Sequence, residues 1–380
     1  MFQYLLEAVS RDVANIRSII QTSDRLREIA SNSSFTVENN SGNQTDYVIK
    51  ELIQNFPEKN YWRVYDHCAV VTRLYAVYER FVENLISDWL QFLPDVCPDY
   101  LNLEDSIKNA HRSGVGRLLC NLGKPRFEHL TEVAVMRGLF DGITGGETYK
   151  LLPDAFLLHE QNLWRNILEE LFKGVGIQNS WHWVEKHRGI KQFIEEVRAN
   201  ENTAEGELQL FISYRNDAAH GTPVVNILRS NALLQLCDFI ENLCQALAEL
   251  VLYHIITKQT NAGQAKYIGK ITRWFPEPKA ARAKVQEIIL DGGTSLVLLN
   301  EQTSYCCPAT IETLRLEETS ENWVDVEQVN ATEEIEVGLK FNIEARKGLQ
   351  IYVQCQQQPP QSDSHSEEDS YPPTTSDEKI

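Results

Sequence analysis

Residues 266–275 read Lys-Tyr-Ile-Gly-Lys-Ile-Thr-Arg-Trp-Phe (KYIGKITRWF), and the reading of the fold turns on this stretch. Apolar residues before it recur at the helical period. After it, short runs rich in β-formers alternate with turn residues. Upstream, Leu5, Leu6, Val9, Val13, Ile16 and Ile20 mark a first helix, and a long helical run covers about 61–92, with Pro94 and Pro98 ending it. Further helical stretches fall at about 103–122, 127–140, 153–173, 185–199 and 206–219, and 31–46 reads as a polar loop. The last run, 224–258, is apolar on more than one face, which marks a central core helix. Downstream, strand-like runs are expected at 267–275, 283–289, 295–299, 310–317, 334–343 and 349–354, with Asp291-Gly292-Gly293 as one of the turns. Their spacing predicts a small all-β barrel. The pattern is α+β: a helical part over 1–260, a barrel over 266–354, and a polar, acidic, Pro-rich tail over 356–380 that is expected to be disordered.

The bulk composition fits this reading. The chain has 380 residues, 42% hydrophobic and 24% charged, as in ordinary globular proteins. Its net charge of −18 excludes a globally basic nucleic-acid binder but leaves room for a local positive site. Because the acidity extends over the helical part, any RNA site there must focus positive potential within a repulsive field. The eight cysteines show no zinc-type spacing, and Cys306-Cys307 are expected to be reduced. The most apolar stretch, Leu243 to Thr257, carries Gln245, Glu249 and His254 and is too short to cross a bilayer. The start of the chain has no leader pattern. A soluble cytoplasmic protein without a membrane partner is expected.

One segment suggests chemistry: Phe211-Ile212-Ser213-Tyr214-Arg215-Asn216-Asp217-Ala218-Ala219-His220-Gly221. With 20 Arg and 9 His in the chain, roughly one Arg-x(4–6)-His match arises by chance, so the spacing alone decides little. Its setting says more. The segment ends an apolar helix, and Gly221 and Pro223 break the chain just after the histidine. Residues four apart share a helix face, so Asn216 and His220 align, whereas Arg215 joins them only if the last turn unwinds. Imidazole moves protons near neutrality, and guanidinium holds a phosphoryl oxygen at any pH. Such a pair suffices for RNA cleavage by the neighbouring 2′-hydroxyl. The competing reading is plain C-capping, with His220 favoured by the helix dipole.

R-N-D-A-A-H-G at a helix end resembles the R-x(4–6)-H signature of HEPN-domain ribonucleases. Upstream, Tyr75-Ala76-Val77-Tyr78-Glu79-Arg80-Phe81-Val82 is similar to the Y-A-x-x-E-x-F/Y-V helix of the cyanobacterial-type and RiboL-PSP-type HEPN nucleases, and 168–177 to the segment before their motif helix. The resemblance covers about 1–258. It implies a homodimer with a composite cleft and an endoribonuclease that needs no metal or other cofactor. It implies Arg215 and His220 as the catalytic pair, Asn216 as the polar residue of the motif and Glu79 as a supporting acid. It also implies a toxin or antiviral effector, acting on tRNA, mRNA or ribosome-associated RNA and held by an antitoxin or partner protein. Catalytically inactive HEPN adaptors share the fold.

The β region resembles domain 2 of translation elongation factors of the Tu type over about 266–353, in its opening KYIGKITRWF and in the segments 310–317, 335–340 and 346–352. Relative to that family, Leu349-Gln350 replaces an acidic Gly-Asp turn, and Cys306-Cys307 fall in the loop before the fourth strand. No phosphate loop of the G-x-x-x-x-G-K-[ST] type is present, so GTPase activity is not implied. The resemblance implies docking to RNA or ribosomes, and leaves a translation-associated RNA-binding protein as a further reading. Trp181-His182-Trp183-Val184-Glu185-Lys186-His187-Arg188 offers stacking groups for single-stranded RNA, but its spacing favours a buried stripe. Glu79 and Glu83 share a helix face, which reads as solvated rather than metal-binding.

Overall fold

The structure, a computed structural model, describes residues 2–31, 51, 55–145, 149–158, 161–219, 224, 226–319 and 322–355. Ten α-helices among these residues precede nine strands. Helix α1 (Gln3–Ser31) buries Leu5, Val9, Val13, Ile16 and Ile20 on one stripe, as the spacing predicts. Helix α2 (Lys59–Val96) presents a longer stripe, including Leu74, Tyr75, Tyr78, Val82, Leu85 and Trp89. Pro94 lies inside its last turn rather than ending it, and the helix closes where Cys97 N donates to the Leu93 carbonyl. Proline there removes the bond its N–H would have made to the Leu90 carbonyl, and the helix closes soon after it.

Helices α3 (Asp105–Leu119) and α4 (Glu132–Thr144) follow. The expected single run over 153–173 is two elements, the one-turn α5 (Pro153–Phe156) and α6 (Arg165–Gly174). Leu163, between them, gives its backbone N–H to Tyr75 and its carbonyl to Tyr78, so this backbone cannot also be helical. The expected run over 185–199 is also broken. Helix α7 (Ser180–Lys186) stops at His187, whose ψ of 136° is extended, and α8 (Arg188–Gln192) runs into a π turn, Phe193–Val197. Trp181, Trp183, His187 and Ile190 are all buried, which fits the core reading of that stretch.

Helices α9 (Ala204–Ala219) and α10 (Ser230–Asn261) complete the helical part. Helix α10 buries residues all round, including Leu236, Phe239, Ile240, Leu243, Leu247, Val251 and Ile255. Thirty-two residues long, it is the one helix among the described residues that could cross a membrane by length and composition, beyond the shorter stretch read from the sequence. However, 72% of its apolar window is buried inside the protein, as in a core helix. The expected disordered tail, and the polar loop apart from Ser31, lie outside the described residues.

The strands are β1 (Ala265–Phe275), β2 (Ala280–Val285), β3 (Ile288–Asp291), β4 (Ser295–Asn300), β5 (Tyr305–Thr319), β6 (Asn322–Val326), β7 (Gln328–Ala331), β8 (Ile335–Phe341) and β9 (Gln350–Gln354). Antiparallel pairing in the order β4-β9-β1-β2-β8-β5 closes through β4–β5 into a six-stranded barrel. Strand β6 extends β5 outside it, and β3 pairs with β7 as a separate ribbon. Alternate residues such as Ile268, Ile271, Ala283, Leu298, Ile311, Val337 and Ile351 fill the interior. Gly269 sits at a shift in the β1–β9 register, where a Cβ would stand 1.9 Å from the Lys284 carbonyl oxygen.

Two expectations for this region change. The run at 283–289 is split between β2 and β3, and Cys306 and Cys307 lie within β5 rather than in a loop. Both cysteines are buried and free. Strand β5 starts early because 305–310 pair with β4, which places Cys306 against α10.

The barrel does not hang from a linker. Val297, Leu299 and Cys306 belong to the same buried cluster as the helical core. Beside them lies an ionic knot. Glu249 of α10 takes a two-pronged hydrogen bond from Arg188 (2.7 and 2.6 Å), accepts from Cys306 N (3.0 Å) and Gln245 (2.8 Å), and meets His187 at 3.4 Å. Arg188 also stacks 4.4 Å from the Tyr305 ring. Burial pushes the Glu249 carboxyl up, but the hydrogen bonds and charges of His187 and Arg188 outweigh it and hold the pKa at about 2.

Candidate active site

The motif helix α9 is anchored at its start. Thr203 Oγ1 caps it by accepting from Gly206 N (3.0 Å), and the buried Glu207 takes two hydrogen bonds from Arg198 (2.6 and 2.8 Å) and one from Asn202 (2.6 Å). Arg198 reaches Glu207 because the π turn before it is followed by two left-handed residues, Ala199 (φ 47°) and Asn200 (φ 61°). Non-glycine residues rarely adopt that backbone, so the connection carries strain. Leu208, Phe211 and Ile212 then bury one face of α9.

Arg215 follows Phe211 by one turn and so lies on the same face, toward α2. Its guanidinium stacks 4.7 Å from the Tyr75 ring, and Nη1 donates to Asn216 Oδ1 (3.2 Å). The same oxygen accepts from the Asn162 side chain at 2.8 Å. Arg215 Nε is buried and has no hydrogen-bond partner among the described residues. The Tyr75 hydroxyl donates to Glu79 Oε1 (3.2 Å) and accepts from Leu163 N (3.0 Å). Burial, and secondarily the Glu79 charge, raise the Tyr75 phenol far above its ordinary range, so it stays protonated as a donor. Arg215, Asn216 and Glu79 thus meet in one half-buried cluster, with Tyr75 linking Glu79 to Arg215. His220 lies outside the described residues, together with Gly221 and Pro223.

Two contributors had a weak sequence signal or none. Tyr75 belongs to the quoted helix motif, but its role as the ring under Arg215 was not read from it. Asn162 is a loop residue without any pattern. His67 also packs here: its ring meets Tyr214 edge-on (centroids 5.7 Å) and its Nδ1 accepts from Leu228 N (3.2 Å). Burial lowers its pKa against the opposing charge of Asp217, favouring the neutral ring. Among the described residues, no group of three or more His, Cys, Asp or Glu is placed to hold a metal ion. Glu83, one turn after Glu79, is half-buried rather than fully solvated and lies 3.7 Å from Arg126.

The model of the RiboL-PSP-HEPN family matches residues 20–253, more than half of the chain. The chain belongs to the RiboL-PSP-HEPN family. Its matched span takes in Tyr75, Glu79, Asn162, Arg215 and Asn216, so the whole described cluster lies within the RiboL-PSP-HEPN region. No curated protein matches the chain. Among solved structures, the C-terminal domain of a putative U32 peptidase from Geobacillus thermoleovorans matches at 11% identity, over 23% of this chain and 99% of that one. Its TM-score is 0.19, at which the likeness carries no argument.

Proposed function

We propose that the protein is an endoribonuclease that cleaves RNA without a metal ion, using Arg215 and His220. One observation carries the reading: Arg215, whose buried Nε has no hydrogen-bond partner among the described residues, is held between the Tyr75 ring and Asn216. A guanidinium fixed in this way has donors left for a phosphate. In the proposed step, His220 takes the proton of a 2′-hydroxyl and the 2′-oxygen attacks the adjacent phosphorus. The bond to the 5′-oxygen breaks, and that oxygen leaves as a hydroxyl once protonated. The products are a 2′,3′-cyclic phosphate end and a 5′-hydroxyl end. Arg215 stabilises the charge gathering on the non-bridging oxygens. Asn216 orients Arg215, and Glu79 acts as a supporting acid through Tyr75.

In this proposal residues 1–260 form the nuclease domain, which pairs in a homodimer so that two motifs face one cleft. The barrel, domain 266–354, resembles domain 2 of Tu-type elongation factors and docks the nuclease on tRNA, mRNA or ribosomes, followed by the tail 356–380. The setting is cytoplasmic, as a toxin restrained by an antitoxin or as an antiviral effector.

The test incubates the purified chain with total RNA in EDTA, beside Arg215→Ala and His220→Ala. Cleavage leaving 2′,3′-cyclic phosphate ends and lost in both variants supports the reading. Equal degradation by His220→Ala refutes the assigned pair. No cleavage by the dimer leaves an inactive HEPN adaptor as the better reading.

A further inference from the structure

Beside the cluster lies a cavity of about 630 Å³, between the C-terminal end of α3, the turn at Pro125–Phe127 and the face of α6. That volume lies within the ordinary range for ligand clefts, about 300–1,000 Å³. Three cations line it: Arg117, Lys124 and Arg126. The polar Asn121 joins them, and with one acid, Glu170, the described lining residues are positive by two. In a chain of net charge −18, clustered cations in a concave wall are uncommon enough to need a reason.

The three cations differ in their ties. Arg126 is fixed: it donates to the Leu157 carbonyl (3.2 Å), stacks on Phe127 (5.6 Å) and lies 3.7 Å from Glu83. Arg117 and Lys124 are exposed, and neither side chain has a partner among the described residues. The floor contains Phe127 and Phe156, which are 4% and 7% exposed, so among the described lining residues no ring stands free to stack a base. The recognition offered is therefore of phosphates rather than of bases.

Two features join this cavity to the Arg215 cluster. Gln161 lines the cavity, and the next residue, Asn162, holds Asn216. On α2, Glu83 beside Arg126 follows Glu79 by one helical turn, a rise of about 6 Å.

We propose that the cavity lined by Arg117, Lys124 and Arg126 holds backbone phosphates of the RNA strand flanking the linkage at Arg215, without regard to base identity. The proposal rests on the reading of Arg215 as part of an RNA-cleaving site.

The test uses the full chain and a fluorescein-labelled 12-nucleotide RNA with every 2′-hydroxyl methylated, which blocks the attacking group. Binding is followed by fluorescence anisotropy between 50 and 200 mM salt. For Arg117→Gln/Lys124→Gln, the slope of log K against log salt is expected to shrink by about 1.4, near 0.7 per lost phosphate contact, and affinity at 0.1 M salt to fall about 20-fold. Arg11→Gln/Arg25→Gln removes the same charge from the exposed face of α1 and is expected to leave the slope within about 0.3 of the wild type. An unchanged slope in the cavity variant, an equal loss in the α1 variant, or no binding by the wild type overturns the proposal. Cleavage of unmethylated RNA, lost in Arg215→Ala, together with an unchanged slope, sinks the cavity proposal alone. A reduced slope without any cleavage sinks the catalytic reading alone.

Discussion

Glu249→Gln is the sharpest test of how the helical part and the barrel are joined. The substitution keeps the volume of the side chain and an acceptor for Cys306 N, but removes the charge facing Arg188 and His187. Glu249 is 2% exposed and the Arg188 side chain 28% exposed, so the guanidinium left behind is poorly hydrated. Removing one partner of a buried pair costs about 3–5 kcal/mol. The fall of the carboxyl from 4.5 to about 2 on folding corresponds to on the order of 3 kcal/mol of favourable interaction, which agrees. Urea denaturation followed by tryptophan fluorescence, with hydrogen exchange at the Cys306 amide, is expected to show about 3 kcal/mol lost and faster exchange. Glu249→Gln/Arg188→Met removes both charges and keeps the acceptor, and should recover at least half of the loss. A single variant within about 0.5 kcal/mol of wild type would refute the reasoning, as would a double variant whose cost equals the two singles added.

Other consequences follow from the same structure. Because the Glu249 pKa is depressed, its contribution is complete above pH 4.5 and is lost as pH falls toward 2; Glu249→Gln should flatten this acid limb in pH-dependent denaturation. His111 is buried, stacked on Phe156 and hydrogen-bonded to Tyr100, and burial lowers its pKa from 6.5 to about 4. The unfolded chain binds that proton first, so stability should decline as pH drops from 6.5 to 4; burial also lowers the pKa of His254 to about 4 and that of His67, so His111→Phe should shallow this decline by one proton's share rather than remove it. Gly269→Ala puts a methyl group against the Lys284 carbonyl and is expected to cost about 2 kcal/mol or more in thermal or urea unfolding. Tyr75→Phe orphans the buried Leu163 N–H, a loss of about 1–3 kcal/mol, yet keeps a ring beneath Arg215. Its RNA cleavage rate should therefore fall less than that of Arg215→Ala.

The long periodic helices and the shift to the β period at Lys266 were legible in the sequence because burial on one stripe, or on every side for α10, writes itself into residue spacing. Strands β6 and β7 were not. Their four or five residues, among Glu, Asn and Asp, are too short for alternation to stand out, although Val329 and Ala331 do alternate inward. The break at Leu163 was hidden for another reason: its cause is Tyr75, eighty-eight residues earlier. At the candidate site, Arg215, Asn216 and Glu79 were found through a motif. The roles of Tyr75 and Asn162 arise only when α2, α9 and the loop before α6 are packed together, and linear spacing carries no record of such a meeting.

The placement of Val297, Leu299 and Cys306 in the helical core bears on how such a protein can be cut or recombined. A fragment ending near Asn261 would bare an oily scar along α10, and a transplanted barrel would bring its own raw edge to a foreign host. Exchange of the C-terminal half between relatives should succeed only where the matching seam travels with it.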